Sequence, residues 1–103
     1  MNIFKRIKAE IAFLHAVKSA EEAHAETGER YYVVPSVDGK LVIADRKNFR
    51  ALKRKHYIDS DATVAQMQKE CFYCTPYRNG TGKMPGEVAS LKRAAFLDWY
   101  SKC

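Results

Sequence analysis

Apolar residues recur at helical spacing from the start of the chain: Ile3, Ile7, Ile11, Leu14 and Val17 share one face, and Gly28 stands where a helix would stop. The spacing predicts one helix over 3–27. Its other side carries Ala9, Ala12, Ala16 and Ala20, small residues that let another backbone approach closely. The helix is therefore expected to pack on two sides, within its own domain or across a dimer.

Two β-rich runs follow in "RYYVVPSVDGKLVIAD", joined by Asp38-Gly39, a strong short hairpin signal. Pro35 has no N–H to give to a ladder, so the first strand is expected at a sheet edge or bulged. A hairpin alone is marginal and needs a surface to rest on, which the isoleucine face of the first helix offers. Asp45 then reads as the N-cap of a helix running to about Lys55. Another capped start at Asp61 or Thr63 opens a helix with Val64, Met67 and Cys71 along one face, stopped by Pro76. Pro85 suits the first turn of a last helix packing through Val88, Leu91, Ala95 and Trp99. The pattern predicts one α+β domain of element order α-β-β-α-α-α: a long N-terminal helix, a two-stranded antiparallel hairpin and three shorter helices.

The size agrees with that, since 103 residues allow one modest core. No apolar run is long enough to cross a bilayer. "MNIFKRIKAEIAFLHAV" imitates a signal peptide, but Glu10 and His15 interrupt it and charged residues follow where a cleavage site would stand. It reads as a mature helix of a cytoplasmic protein.

Charge changes the picture more than size does. The formal net charge is +6, and "DRKNFRALKRKHYI", Asp45 to Ile58, accounts for +5 of it, with six basic residues against one acid. So concentrated a charge points to an anionic partner. On a helical wheel, Lys53, Arg46, Tyr57, Arg50, Arg54 and Lys47 fall in one arc of roughly 120°, while Phe49, Leu52 and His56 form a separate inward arc. Cations with a tyrosine among them suit contact with phosphates and stacking on a base. Arg78 and Lys83, beside Tyr73 and Tyr77, are a further candidate anion surface.

The other motifs fall short of a chemistry. Cys71 and Cys74 form a single C-x-x-C, and only Cys103 and three scattered histidines could complete a zinc site. As a redox pair they lie at an expected helix C-terminus, where the dipole disfavours a thiolate. "NGTGK" differs from a phosphate-binding loop at both ends, with Tyr77 where a glycine and Met84 where a hydroxyl residue is required. His24 sits among Glu21, Glu22 and Glu26, yet no second segment supplies a nucleophile. The chain is read as a non-enzyme without catalytic residues, metal or cofactor.

The segments "GKLVIADRKNFRALKRKHYI" and "ECFYCTPYRNG", with the closing "LKRAAFLDWY", resemble small uncharacterised proteins of gut bacteria and their bacteriophages, over most of the chain from Tyr31 onward. The resemblance implies a cytoplasmic or phage-encoded bacterial protein and transfers no functional site. Taken together, the leading expectation is an accessory protein that grips a DNA or RNA backbone through Arg46, Lys47, Arg50, Lys53 and Arg54, with Tyr57, Arg78 and Lys83 beside them. The alternative is an assembly module, a homo-oligomer through the first helix or a partner of another protein, with the basic face merely solvated. A third reading lays the first helix on a membrane surface, Ile3, Phe4, Ile7 and Ile11 inserted and Lys5, Arg6 and Lys8 on headgroups.

Overall fold

The computed structural model describes residues 2–103 and is α+β. Helix α1 spans Ile3–Thr27. The Asn2 side chain accepts from the Lys5 N–H at its start, and Gly28 ends it in the left-handed region (φ 76°), its N–H donating to the His24 carbonyl. Strands β1 (Tyr32–Pro35) and β2 (Leu41–Ala44) pair antiparallel from Tyr32↔Ala44 to Pro35↔Leu41, across the Asp38-Gly39 turn. Helices α2 (Phe49–Arg54) and α3 (Val64–Glu70) come next. Strand β3 is Tyr73–Cys74, and α4 runs Gly86–Ser101.

The sheet has three strands in the order β2-β1-β3, so the first strand is central and not an edge. Pro35 is tolerated there because it is the last residue of β1, beyond the reach of β3, which pairs only with Tyr32 and Val33. The third strand lies where a continuing helix was expected. The chain leaves α3 at Cys71, and the free edge of β1 captures it: Phe72 N–H donates to the Val33 carbonyl at 2.8 Å and Thr75 N–H to the Tyr31 carbonyl at 2.9 Å.

Alternation along the strands divides the interior into two cores. Tyr32, Val34 and Ala44 turn to one side, against Phe49 of α2, Met67 of α3, and Cys71 and Cys74. On the other side Leu41 and Tyr73 pack with Ala9 and Phe13 of α1 and Phe96 of α4. The result is a sheet between two helical layers, α1 with α4 on one face and α2 with α3 on the other.

Both long helices bury a different face from the expected one. In α1 the buried residues are Ala9, Phe13 and Ala20, while Ile3, Ile7, Ile11 and Leu14 are exposed. The alanines let the helix backbone approach closely, and Phe13 reaches Phe96, ring centroids 4.9 Å apart, in a cluster that also holds Phe72 and Trp99. In α4 the inward residue is Phe96, with Trp99 and Tyr100 half-buried, whereas Val88, Leu91 and Ala95 face out. Burying a side chain of Phe96's size stabilises by about 3 kcal/mol relative to exposure, so this aromatic cluster decides the orientation of both helices.

Candidate nucleic-acid interface

The basic stretch is not one continuous helix. Asp45, buried at the end of β2, accepts from the Asn48 N–H at 2.7 Å, and the Asn48 side chain accepts from the Asp45 N–H at 2.7 Å. Asn48 also donates to the Ile43 carbonyl. Short polar side chains that bond their local backbone favour a turn over helix, so Arg46 and Lys47 occupy a turn and α2 begins only at Phe49. At the other end His56 adopts φ 64°, which breaks the helix after Lys55. His56 is exposed, so of the expected inward arc only Phe49 is buried and Leu52 half-buried. Tyr57, 42% exposed, lies past the helix and not on its wheel.

What remains on α2 is still a concentrated cationic site. Arg50, Lys53 and Arg54 line an open depression of about 660 Å³ together with His56 and Ser60. No acidic residue lines it. The Lys53 ammonium is steadied over the Phe49 ring, 5.3 Å from its centroid, so that its stem covers the core while its charge stays at the surface.

Lys47 and Arg78 form a second group around one carboxylate. Glu29 Oε1 is 3.6 Å from Lys47 Nζ and 3.6 Å from Arg78 Nη2. Arg78 also donates to the Thr27 carbonyl at 2.7 Å, closing the C-terminus of α1, and a Cβ at Gly28 would come within 2.8 Å of its Nε. The structure therefore brings the 45–58 stretch and the 77–83 loop together, but through an acid that offsets part of their charge. Lys83 is exposed on that loop.

Sequence reasoning missed Arg30. Its guanidinium lies 4.3 Å from the centroid of Tyr77 and 5.6 Å from that of Tyr32, and it donates to Cys74 Sγ at 3.0 Å and to the Gly82 carbonyl at 3.2 Å. The "NGTGK" loop is thus pinned as a turn: Tyr77 N–H donates to the Thr81 carbonyl at 2.8 Å and the Gly82 carbonyl is held by Arg30. Nothing local in the sequence signals this, because the partners lie 44 and 52 positions away.

The remaining candidates are engaged in structure. Cys71 and Cys74 are buried, and their thiols hydrogen-bond each other; that bond lowers Cys74, aided by Arg30 against burial, and raises Cys71, where burial adds to it. His24 Nδ1 donates to the Glu29 carbonyl at 2.7 Å, and Glu21 accepts from the Tyr73 hydroxyl at 3.0 Å. Among the described residues no three His, Cys, Asp or Glu side chains group as metal ligands. An apolar cavity of about 290 Å³ lies between the hairpin tip and α3, floored by Val34, Phe49 and Met67 with Trp99 in its wall. Among the described residues no helix is long and apolar enough to cross a membrane. Compared with family models, curated proteins and solved structures, the chain finds no match.

Proposed function

We propose that this is a non-enzymatic nucleic-acid-binding accessory protein that grips the phosphate backbone of DNA or RNA through the outer face of α2. The observation that supports it is the depression lined by Arg50, Lys53, Arg54 and His56 with no acid among its lining residues. Such a site binds phosphates and releases their counterions, without the convergent donors that base reading needs. Arg46 and Tyr57 extend the contact along the chain, Tyr57 by stacking on a base. Lys47, Arg78 and Lys83 form its weaker margin, because Glu29 already holds the first two. In this reading the protein acts in the cytoplasm of a bacterial cell, as a host or phage product.

The test is fluorescence anisotropy with single- and double-stranded oligonucleotides over a salt series. Three to five phosphate contacts give a log–log salt slope of about −3 to −4.5 on duplex DNA. Arg50→Glu with Arg54→Glu removes binding, whereas Lys47→Glu weakens it less. Binding that ignores both salt and the double substitution overturns the proposal.

A further inference from the structure

The outward face of α1 carries a stripe of large apolar side chains with no partner in the fold. Ile3 is 68% exposed, Phe4 75%, Ile7 47%, Ile11 49% and Leu14 62%. At about 100° per residue they occupy one arc opposite Ala9, Phe13 and Ala20, the residues that face the core. The stripe spans residues 3–14, about 18 Å of helix. Single exposed apolar residues need no explanation, but a contiguous stripe of this kind marks a contact surface.

The charges around the stripe identify the contact. Residues 2–20 hold four basic side chains and one acid, Glu10. That acid is already taken: its Oε1 accepts from Arg93 Nη2 at 3.3 Å and lies 3.7 Å from Arg6 Nε. Lys5 turns inward and donates to the Ser101 and Cys103 carbonyls. Lys8 and Lys18 are exposed, Lys8 beside the stripe and Lys18 on its line one turn beyond Leu14. The surface that covers this face must therefore be apolar at its centre and anionic at its margin.

A second copy of the chain does not meet that requirement. Phe4, Ile7, Ile11 and Leu14 have the three-four spacing of a helix-pairing seam, which ends at Lys18. Parallel copies would set Lys18 against Lys18, and antiparallel copies matching Ile7 to Ile11 would set Lys8 beside Lys8. We infer that α1 is an interfacial helix that lies on an anionic lipid surface, with Ile3, Phe4, Ile7, Ile11 and Leu14 among the acyl chains and Lys8 and Lys18 at the headgroups. Lysine suits that margin, since its stem lies along apolar surface while its ammonium reaches the phosphates. The basic face of α2 lies across the sheet from α1, so lipid contact leaves it free.

The experiment uses the full chain and sedimentation with vesicles of phosphatidylcholine alone or mixed with phosphatidylglycerol, beside light scattering without lipid. The mixed vesicles bind the protein, and removing phosphatidylglycerol weakens binding at least tenfold. Ile7→Ser with Ile11→Ser weakens it at least tenfold while the circular dichroism spectrum and oligonucleotide binding persist, because both side chains lie outside the core. Arg50→Glu with Arg54→Glu, which removes the proposed nucleic-acid contact, leaves vesicle binding in place. The inference is overturned if the mixed vesicles do not bind the protein, if the serine variant binds them as well as the parent does, or if the α2 variant alone loses them. It is equally overturned if light scattering shows a dimer that the serine substitutions dissolve and vesicles do not compete for.

Discussion

Arg30 is half-buried, has no carboxylate within ion-pair distance, and keeps its Nε buried without a partner. A cation so placed is costly unless an anion faces it. Cys74, whose Sγ accepts from Arg30 at 3.0 Å, is the group able to supply one as a thiolate. Its thiol is lowered first by the hydrogen bond from Cys71 and then by Arg30, against the burial that raises it. Because the folded value is depressed, the stability contributed is fully present above the unfolded thiol's value of about 8.5 and is lost as pH falls through the folded one. The Cβ carbon shift of Cys74, followed by NMR over pH, should titrate below that of Cys103, and Arg30→Met should move it upward. A Cys74 midpoint at or above that of Cys103 would show that the guanidinium meets a thiol and not a thiolate. The C-x-x-C reading at a helix C-terminus fits Cys71, which caps α3, but Cys74 has passed into a strand beside an arginine that local spacing does not reveal.

At the scale of elements, what the sequence makes legible is where helices and strands are, more than which way they face. Gly28 and the Asp38-Gly39 turn are local devices, and α1 and the hairpin appear where those devices place them. The faces of α1 were ambiguous because apolar residues lie on both sides, and the choice rests on Phe13 meeting Phe96, residues 83 positions apart. The start of α2 was misread for the opposite reason. Asp45 is a good cap by type, but its reciprocal pair with Asn48 makes a turn that withdraws Arg46 and Lys47 from the helix. Strand β3 is too short to carry a periodicity and exists because β1 has an edge to fill. The reassignment of α4 gives a direct check by urea denaturation. Phe96→Ala should cost about 3–5 kcal/mol, as a fully buried aromatic, whereas Leu91→Ala, at a site 71% exposed, should change stability by less than about 0.5 kcal/mol. Equal losses would restore the face that the spacing of Val88, Leu91 and Ala95 suggests.

Across the whole molecule the sheet separates two unlike surfaces, an apolar stripe on α1 and the charge on α2. The 45–58 stretch supplies +5 of the net +6, and α2 has no acidic residue in its first turn, with Lys53 and Arg54 in its last. Arg50 stands three and four positions before Lys53 and Arg54, a spacing at which like charges repel, and it opposes the helix dipole at the N-terminal end. A helix selected for stability alone would carry an acid there. Arg50→Glu replaces two repulsions with two attractions and favours the dipole, terms of about 0.3–0.5 kcal/mol each at an exposed site. Thermal unfolding at low salt should therefore show this variant more stable than the parent by about 0.5–1 kcal/mol, with the gain shrinking as salt is added. Oligonucleotide binding should fall in the same variant. That pairing separates the two explanations of the charge: a face that is merely solvated gains stability at no functional loss, whereas a binding face trades one for the other. If Arg50→Glu instead destabilises the fold, Arg50 is held by structural contacts and the cluster on α2 no longer argues for a ligand.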